Sequence, residues 1–274
     1  MTEEQGTSRI SALRSAIRLL AFAAAFLLTY VVLILLPAGQ DLDSGSFDAA
    51  TLPFPAVDVA NVYRVVVPIA MIAACVALGI RAIVQRRVAV VITAVAIVVP
   101  SVLVSEALKL ALPRPDFGSF GYPQNTYPSG HVALALSSFI ALVVLAPPER
   151  LRWPVVGIAG LLTVGVSWAS VVSFAHRPSD VIGSSLLVGL VTSAVLWRRR
   201  TVADSQSFAV LALSCAAACG ALLVGVDAAL RSTNDMLNTL VAGPGWFLLC
   251  VMPAVLVIGL APSQEPARLL EPSC

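Results

Sequence analysis

Long uncharged apolar runs, separated by short polar connectors, constrain this chain more than any other feature. A run of roughly 20 such residues crosses a bilayer as a helix, and in lipid only a helix or a closed barrel satisfies its own backbone. Eight runs can be marked: Leu19–Leu36, Val65–Ile83, Val88–Leu108, His131–Ala146, Val155–Phe174, Val181–Trp197, Phe208–Leu230 and Leu240–Ala261. With 58% hydrophobic and 12% charged residues, the chain has too little polar surface for a soluble domain. An all-α, polytopic membrane bundle is expected. Several runs lie near the short limit, where tilt or an interfacial position competes with a full span.

The cations set an orientation. With a cytoplasmic N-terminus, the inner segments carry Arg9, Arg14, Arg18, Arg81, Arg86, Arg87, Arg150, Arg152, Arg198, Arg199, Arg200 and Arg268, twelve of the seventeen Lys and Arg. Arg64, Lys109, Arg114, Arg177 and Arg231 remain outside. This pattern predicts a cytoplasmic segment 1–18, a six-span core 19–200 with its site on the outer face, and a C-terminal part 201–274. That last part holds two further spans and a short cytoplasmic tail. Both termini are expected in the cytoplasm and the chain in the cell membrane. The first run is too long for a signal-peptide core and precedes no small-x-small cleavage site, so it reads as an uncleaved helix. Residues 38–62, with Asp41, Asp43, Asp48 and Asp58 among Gly and Pro, read as an exposed outer connector.

Cys75, Cys215, Cys219 and Cys250 fall in apolar runs, where a thiol behaves as a small hydrophobe, and Cys274 is terminal. Cys215 and Cys219 share a helix face, but no second pair or spare histidine accompanies them. No disulfide framework, metal site or nucleic-acid-binding face is indicated.

Chemistry concentrates in three polar islands at the predicted outer ends of runs: Lys109 to Asp116, Tyr127 to His131, and His176 to Asp180. Both histidines of the chain lie in them. In Pro128-Ser129-Gly130-His131, Ser129 suits a helix N-cap and Gly130 admits close backbone approach. The free N–H groups of the following helix form an anion site beside His131. A plain Ser cap with a bystander His fits the tetrapeptide alone as well. In His176-x-x-x-Asp180, the carboxylate can accept the Nδ1 proton and raise the basicity of Nε2, as a nucleophile requires. Pro178 favours a helix starting near 177, which leaves His176 in the preceding loop. An interfacial His with an Asp at a helix start is the simpler alternative. Arg114, fixed between Pro113 and Pro115, offers a planar fork to phosphate oxygens; Lys109 suits either that task or a membrane-edge position.

Arg114-Pro115, Pro128-Ser129-Gly130-His131 and His176-x-x-x-Asp180, in this order between successive runs, resemble the motifs of the type 2 phosphatidic acid phosphatase superfamily. That superfamily includes membrane lipid-phosphate and polyprenyl-diphosphate phosphatases and soluble vanadium-dependent haloperoxidases. The resemblance spans roughly Val65 to Trp197 and implies a six-helix phosphatase core. It also implies that His176 attacks phosphorus to give a phosphohistidine, that Asp180 orients it, and that His131 protonates the leaving oxygen and then helps activate water. Arg114, Ser129, Gly130 and Lys109 would bind phosphoryl oxygens, with no metal or cofactor. The expected partners are a lipid phosphate or polyprenyl diphosphate substrate and membrane lipids.

Two positions depart from the family pattern. Only four residues separate Lys109 from Arg114 where the family has six, and Ala107 holds the usual Lys place. Ala169-Ser170 stands where the family carries Ser-Arg before the histidine, so a phosphate-binding arginine is missing. One charge-assisted phosphoryl contact is worth about 10²–10³ in turnover. The expectation is therefore a lipid-phosphate phosphatase, with an impaired member that binds or moves a lipid phosphate, or one that transfers the phosphoryl group to another acceptor, as alternatives.

Overall fold

The computed structural model describes residues 2–49, 54–118, 124–146 and 152–197, and among these all regular structure is helical. The helices are α1 (Thr2–Thr29, widening into a π-helical turn over Tyr30–Leu35), α2 (Pro37–Ala49), α3 (Phe54–Val84), α4 (Val88–Ala111), α5 (Gly130–Leu145), α6 (Arg152–Val172) and α7 (Pro178–Val195). Among the described residues, four stretches are long and apolar enough to cross a membrane: Ser15–Leu35, Pro55–Val84, Val88–Ala111 and Pro178–Val195. Gly130–Leu145 and Gly157–Val172 are shorter apolar helices. The expected all-α membrane bundle is the observed fold.

Helix α5 is apolar around most of its circumference, and a helix of that kind has to be enclosed. It packs against α3, α4, α6 and α7, burying Val132, Leu136, Phe139 and Ile140 completely. Around it, α3 and α4 turn rows of apolar side chains outward: Val59, Val62, Val66 and Ile69 on one, Ile92, Val95, Val99 and Leu103 on the other. Such uncovered apolar rows suit lipid contact.

Helix α7 carries a different surface, with Ser179, Ser184, Ser185, Thr192 and Ser193 all buried. Small polar residues let neighbouring backbones approach closely and bond across helices. A Cβ on Gly183 would stand 2.2 Å from the Tyr127 ring, and one on Gly189 2.2 Å from the Phe22 ring. Aromatic side chains from α1 and from the segment before α5 thus lock into α7 where it has no side chain.

The expectation of a plain connector at 38–62 is corrected. Pro37–Ala49 forms a helix whose Gln40 and Asp43 are buried, and α3 begins at Phe54, eleven residues before the apolar run. Pro37 opens α2 at a position where its missing N–H costs nothing. Gly39 then packs so tightly that a Cβ would lie 1.8 Å from the Val32 carbonyl oxygen. The inner face of α2 is polar, the reverse of an ordinary amphipathic helix, so no apolar period marks it in the sequence. The spans expected at 208–261, with Cys215, Cys219, Cys250 and Cys274, lie outside the described residues. Cys75 is half-buried, its thiol 3.5 Å from the Ser138 carbonyl oxygen.

Candidate active site

The three polar islands meet at one end of the bundle, because α4 ends where α5 and α7 begin. Each is held by local chemistry. Ser129 caps α5, its Oγ accepting from Val132 N at 3.5 Å. The Ser129 N–H donates to the Asp180 carbonyl oxygen at 3.1 Å, and Ser184 Oγ donates to the Ser129 carbonyl oxygen at 2.8 Å. From α4, Ser105 Oγ donates to the Pro128 carbonyl oxygen at 3.2 Å. The start of α5 is therefore fixed against α4 and α7 by bonds that leave the N–H groups of its first turn at the site.

The turn between α6 and α7 presents the second histidine. Phe174 takes up a left-handed conformation, φ 56°, and the His176 N–H then donates back to the Ser170 carbonyl oxygen at 3.0 Å. Arg177 is the N-cap of α7 and Pro178 its first residue, so His176 lies in the loop and Asp180 in the first turn. The Asp180 carboxylate accepts the Arg177 N–H at 3.0 Å, where a helix start favours negative charge. His176 Nδ1 stands 3.5 Å from Asp180 Oδ2, an ion-pair distance without hydrogen-bond alignment. An acid–base contact is often longer in a site without substrate than in the complex. The rings of His131 and His176 are 6.3 Å apart between centroids and tilted 57° to one another. One phosphoryl group at their edges can touch both.

The predicted cations divide. Lys109 bonds Glu106 at 2.7 Å, and a Cβ on Gly130 would meet Glu106 Oε1 at 2.3 Å and Lys109 Nζ at 3.1 Å. Despite its shifted spacing, Lys109 thus stands against the bare backbone that opens α5. Arg114 is turned the other way. Its Nη1 bonds Asp180 Oδ1 at 2.9 Å and its Nη2 bonds Asp43 Oδ2 at 3.1 Å, with only 2% of the side chain exposed. Tyr30 Oη and Gln40 Nε2 hold the Pro113 and Pro115 carbonyl oxygens at 2.5 and 2.7 Å, which fixes the backbone on both sides of Arg114.

Two residues of this end were not singled out from the sequence. Asp43 comes from α2 and is fully buried. It accepts from Arg114, from the Ser179 N–H at 2.9 Å and from Ser179 Oγ. Burial, reinforced by the neighbouring Asp180, pushes its carboxyl up to about 6 against the pull of Ser179 and Arg114. Arg64, on α3, carries a positive charge that, after burial, does most to disfavour the protonated form of His131, ahead of His176 and Lys109. Its Nε donates to Asn61 Oδ1 at 2.8 Å. Four aspartates in one connector, and an arginine at a span edge, carry no spacing signal; only the packing of α2 and α3 distinguishes them.

A family model described as the PAP2 superfamily matches residues 87–204, which take in α4 to α7 and every predicted site residue. Helices α1, α2 and α3, with Asp43 and Arg64, lie outside the match. No curated protein and no solved structure matches the chain.

Proposed function

We propose that this chain, whose residues 87–204 match the PAP2 superfamily, is an integral-membrane phosphatase acting on a lipid-linked phosphomonoester or diphosphate at the outer membrane face. The observation that carries the reading is the pair of histidines facing each other across 6.3 Å beside the first turn of α5. His176 Nε2 attacks phosphorus and the bond to the leaving oxygen breaks, while His131 donates the proton that oxygen needs. Water then attacks the phosphohistidine, His131 takes its proton, and phosphate and free His176 are regenerated. Asp180 holds Nδ1 and stabilises the charge that His176 gains in the first step. No metal takes part.

The phosphoryl oxygens face the α5 amides of Gly130 and His131, with Ser129 as the cap. Lys109 exchanges Glu106 for the phosphoryl group, and Arg64 supplies the cation that Ser170 does not. Arg114 reaches an oxygen only by sharing a fork already bonded to two carboxylates. Arg64→Ala is expected to lower kcat/KM about 10²–10³-fold, the worth of one charge-assisted contact; unchanged kinetics would remove Arg64 from the site.

A lipid substrate is favoured by an apolar cavity of about 410 Å³ between α3 and α6, lined by Ala56, Val59, Ala60, Tyr63, Trp168 and Ala169. It ends one residue from Ser170, whose carbonyl oxygen receives the His176 N–H. The test is phosphate release by the purified detergent-solubilised protein, with chelator present, from long-chain and short-chain lipid mono- and diphosphates. Chelator-resistant release that favours long chains is expected. Specific lipid-phosphate binding without any release would instead support a second reading, a binding or transport role, which the absence of an arginine at Ser170 motivates.

A further inference from the structure

The carboxylate from α2 has the contacts of a working part of this site. Asp43 lies outside the segment that matches the family, in a helix with no recognisable motif, yet it is fully buried and reaches residues 71 and 136 positions away. An isolated carboxylate is costly to bury, so its partners are what retain it there.

Those partners form a connected set. Arg114 lies between Asp43 and Asp180, giving one terminal nitrogen to each. The Asp180 oxygen bonded to Arg114 is Oδ1, which leaves Oδ2 for Thr126 Oγ1 at 2.5 Å, the Arg177 N–H and His176. Asp43 also bonds the N–H and Oγ of Ser179, the residue before Asp180 in the first turn of α7. That turn has two orphan N–H groups answered by carboxylates: Asp180 takes the one at Arg177 and Asp43 the one at Ser179. The carboxylate from α2 thus grips Asp180 from two sides, through Arg114 and through the backbone of α7.

We propose that Asp43 is a positioning residue for phosphoryl transfer: it divides the charge of Arg114 and fixes the first turn of α7, so that Asp180 keeps Oδ2 within reach of His176 Nδ1. The inference rests on the phosphatase reading above. Without the Asp43 charge, Arg114 is drawn wholly onto Asp180 and competes with His176 for it. Asp43 needs no contact with substrate, so its loss acts on the chemical step and leaves binding nearly intact.

The test is a double-mutant cycle on the full-length detergent-solubilised protein, using the best substrate of the lipid-phosphate panel. Asp43→Asn is expected to lower kcat about 10–100-fold, the scale of one hydrogen bond to a charged group, with KM changed less than about threefold. Arg114→Gln lowers kcat as well, and adding Asp43→Asn to it costs no more than the few-fold that the Ser179 contacts carry, because the ionic partner of the carboxylate is already gone. A merely structural Asp43 would give additive losses and overturn the proposal. Ser179→Ala, which removes one donor and keeps both charges, should lower kcat a few-fold; should Asp43→Asn fail to fold, an unchanged kcat in Ser179→Ala overturns the proposal in its place. A wild type that turns over alongside an equally active Asp43→Asn overturns the role of Asp43 alone. A wild type with no turnover on any substrate overturns the phosphatase reading and this proposal with it.

Discussion

Replacing His176 with alanine is expected to abolish phosphate release, a loss of at least about 10⁴-fold, while leaving the fold in place. In the proposed mechanism this substitution removes the nucleophile itself, and the residual rate is then only what bound water achieves against an oriented phosphoryl group. The fold survives because the His176 main chain, through its N–H to the Ser170 carbonyl oxygen, closes the α6–α7 turn, and that bond does not depend on the imidazole. Phosphate release and thermal unfolding measured on the same preparation check both halves. Turnover near the wild-type level in a folded variant would remove His176 from the mechanism.

Asp180→Asn is expected to cost about 10²–10³ in kcat and, unlike the His176 variant, to destabilise the protein. The catalytic loss arises because an amide can present its N–H to Nδ1 in place of an acceptor, which removes the preparation of Nε2. The stability loss has another source. Asp180 is fully buried and holds Arg114, Thr126 and the Arg177 N–H together. Neutralising one member of a buried ion pair typically costs about 3–5 kcal/mol. A melting temperature several degrees lower, together with the kcat loss, is the predicted pair of results. A variant that loses activity with no change in melting temperature would contradict the structural half of the assignment.

The contrast between these variants shows what the sequence made legible. The all-α bundle followed from runs that only a membrane tolerates, and the three islands could be placed near one another because each stood at the same predicted side. Ser129 as the cap of α5 and Pro178 at the start of α7 were readable because capping depends on one or two neighbouring residues. Asp43 was not readable. It is one of four aspartates in a stretch with ordinary loop composition, and what sets it apart is its burial against residues 71 and 136 positions away. The same holds for Lys109, whose altered spacing says nothing of its reach; only the packing of α4 places it, with Glu106, against Gly130. Arg114 illustrates the opposite case. Its motif marks it for phosphate, whereas its bonds in this structure go to two carboxylates, one of them invisible to the motif.

Helices α2 and α3 also bear on how the site departs from the motif pattern it resembles. Ser170 leaves the third motif without its cation, yet Arg64 acts on His131 from α3, a helix outside the matched segment. On the proposed reading, a positive charge supplied from a different helix takes over that task, because the field at the site depends on where the charge sits and not on which helix carries it.

The most direct measurement is rapid acid-free quenching of the purified wild-type protein during turnover of a radiolabelled lipid phosphate, with chelator present, followed by chemical analysis of the labelled chain. A phosphoramidate on His176, stable to base, released by acid, and absent from His176→Ala, is the predicted result. Turnover that proceeds without label ever appearing on His176, under conditions that trap short-lived phosphoenzymes, would contradict the covalent mechanism and with it the roles assigned to His131 and Asp180.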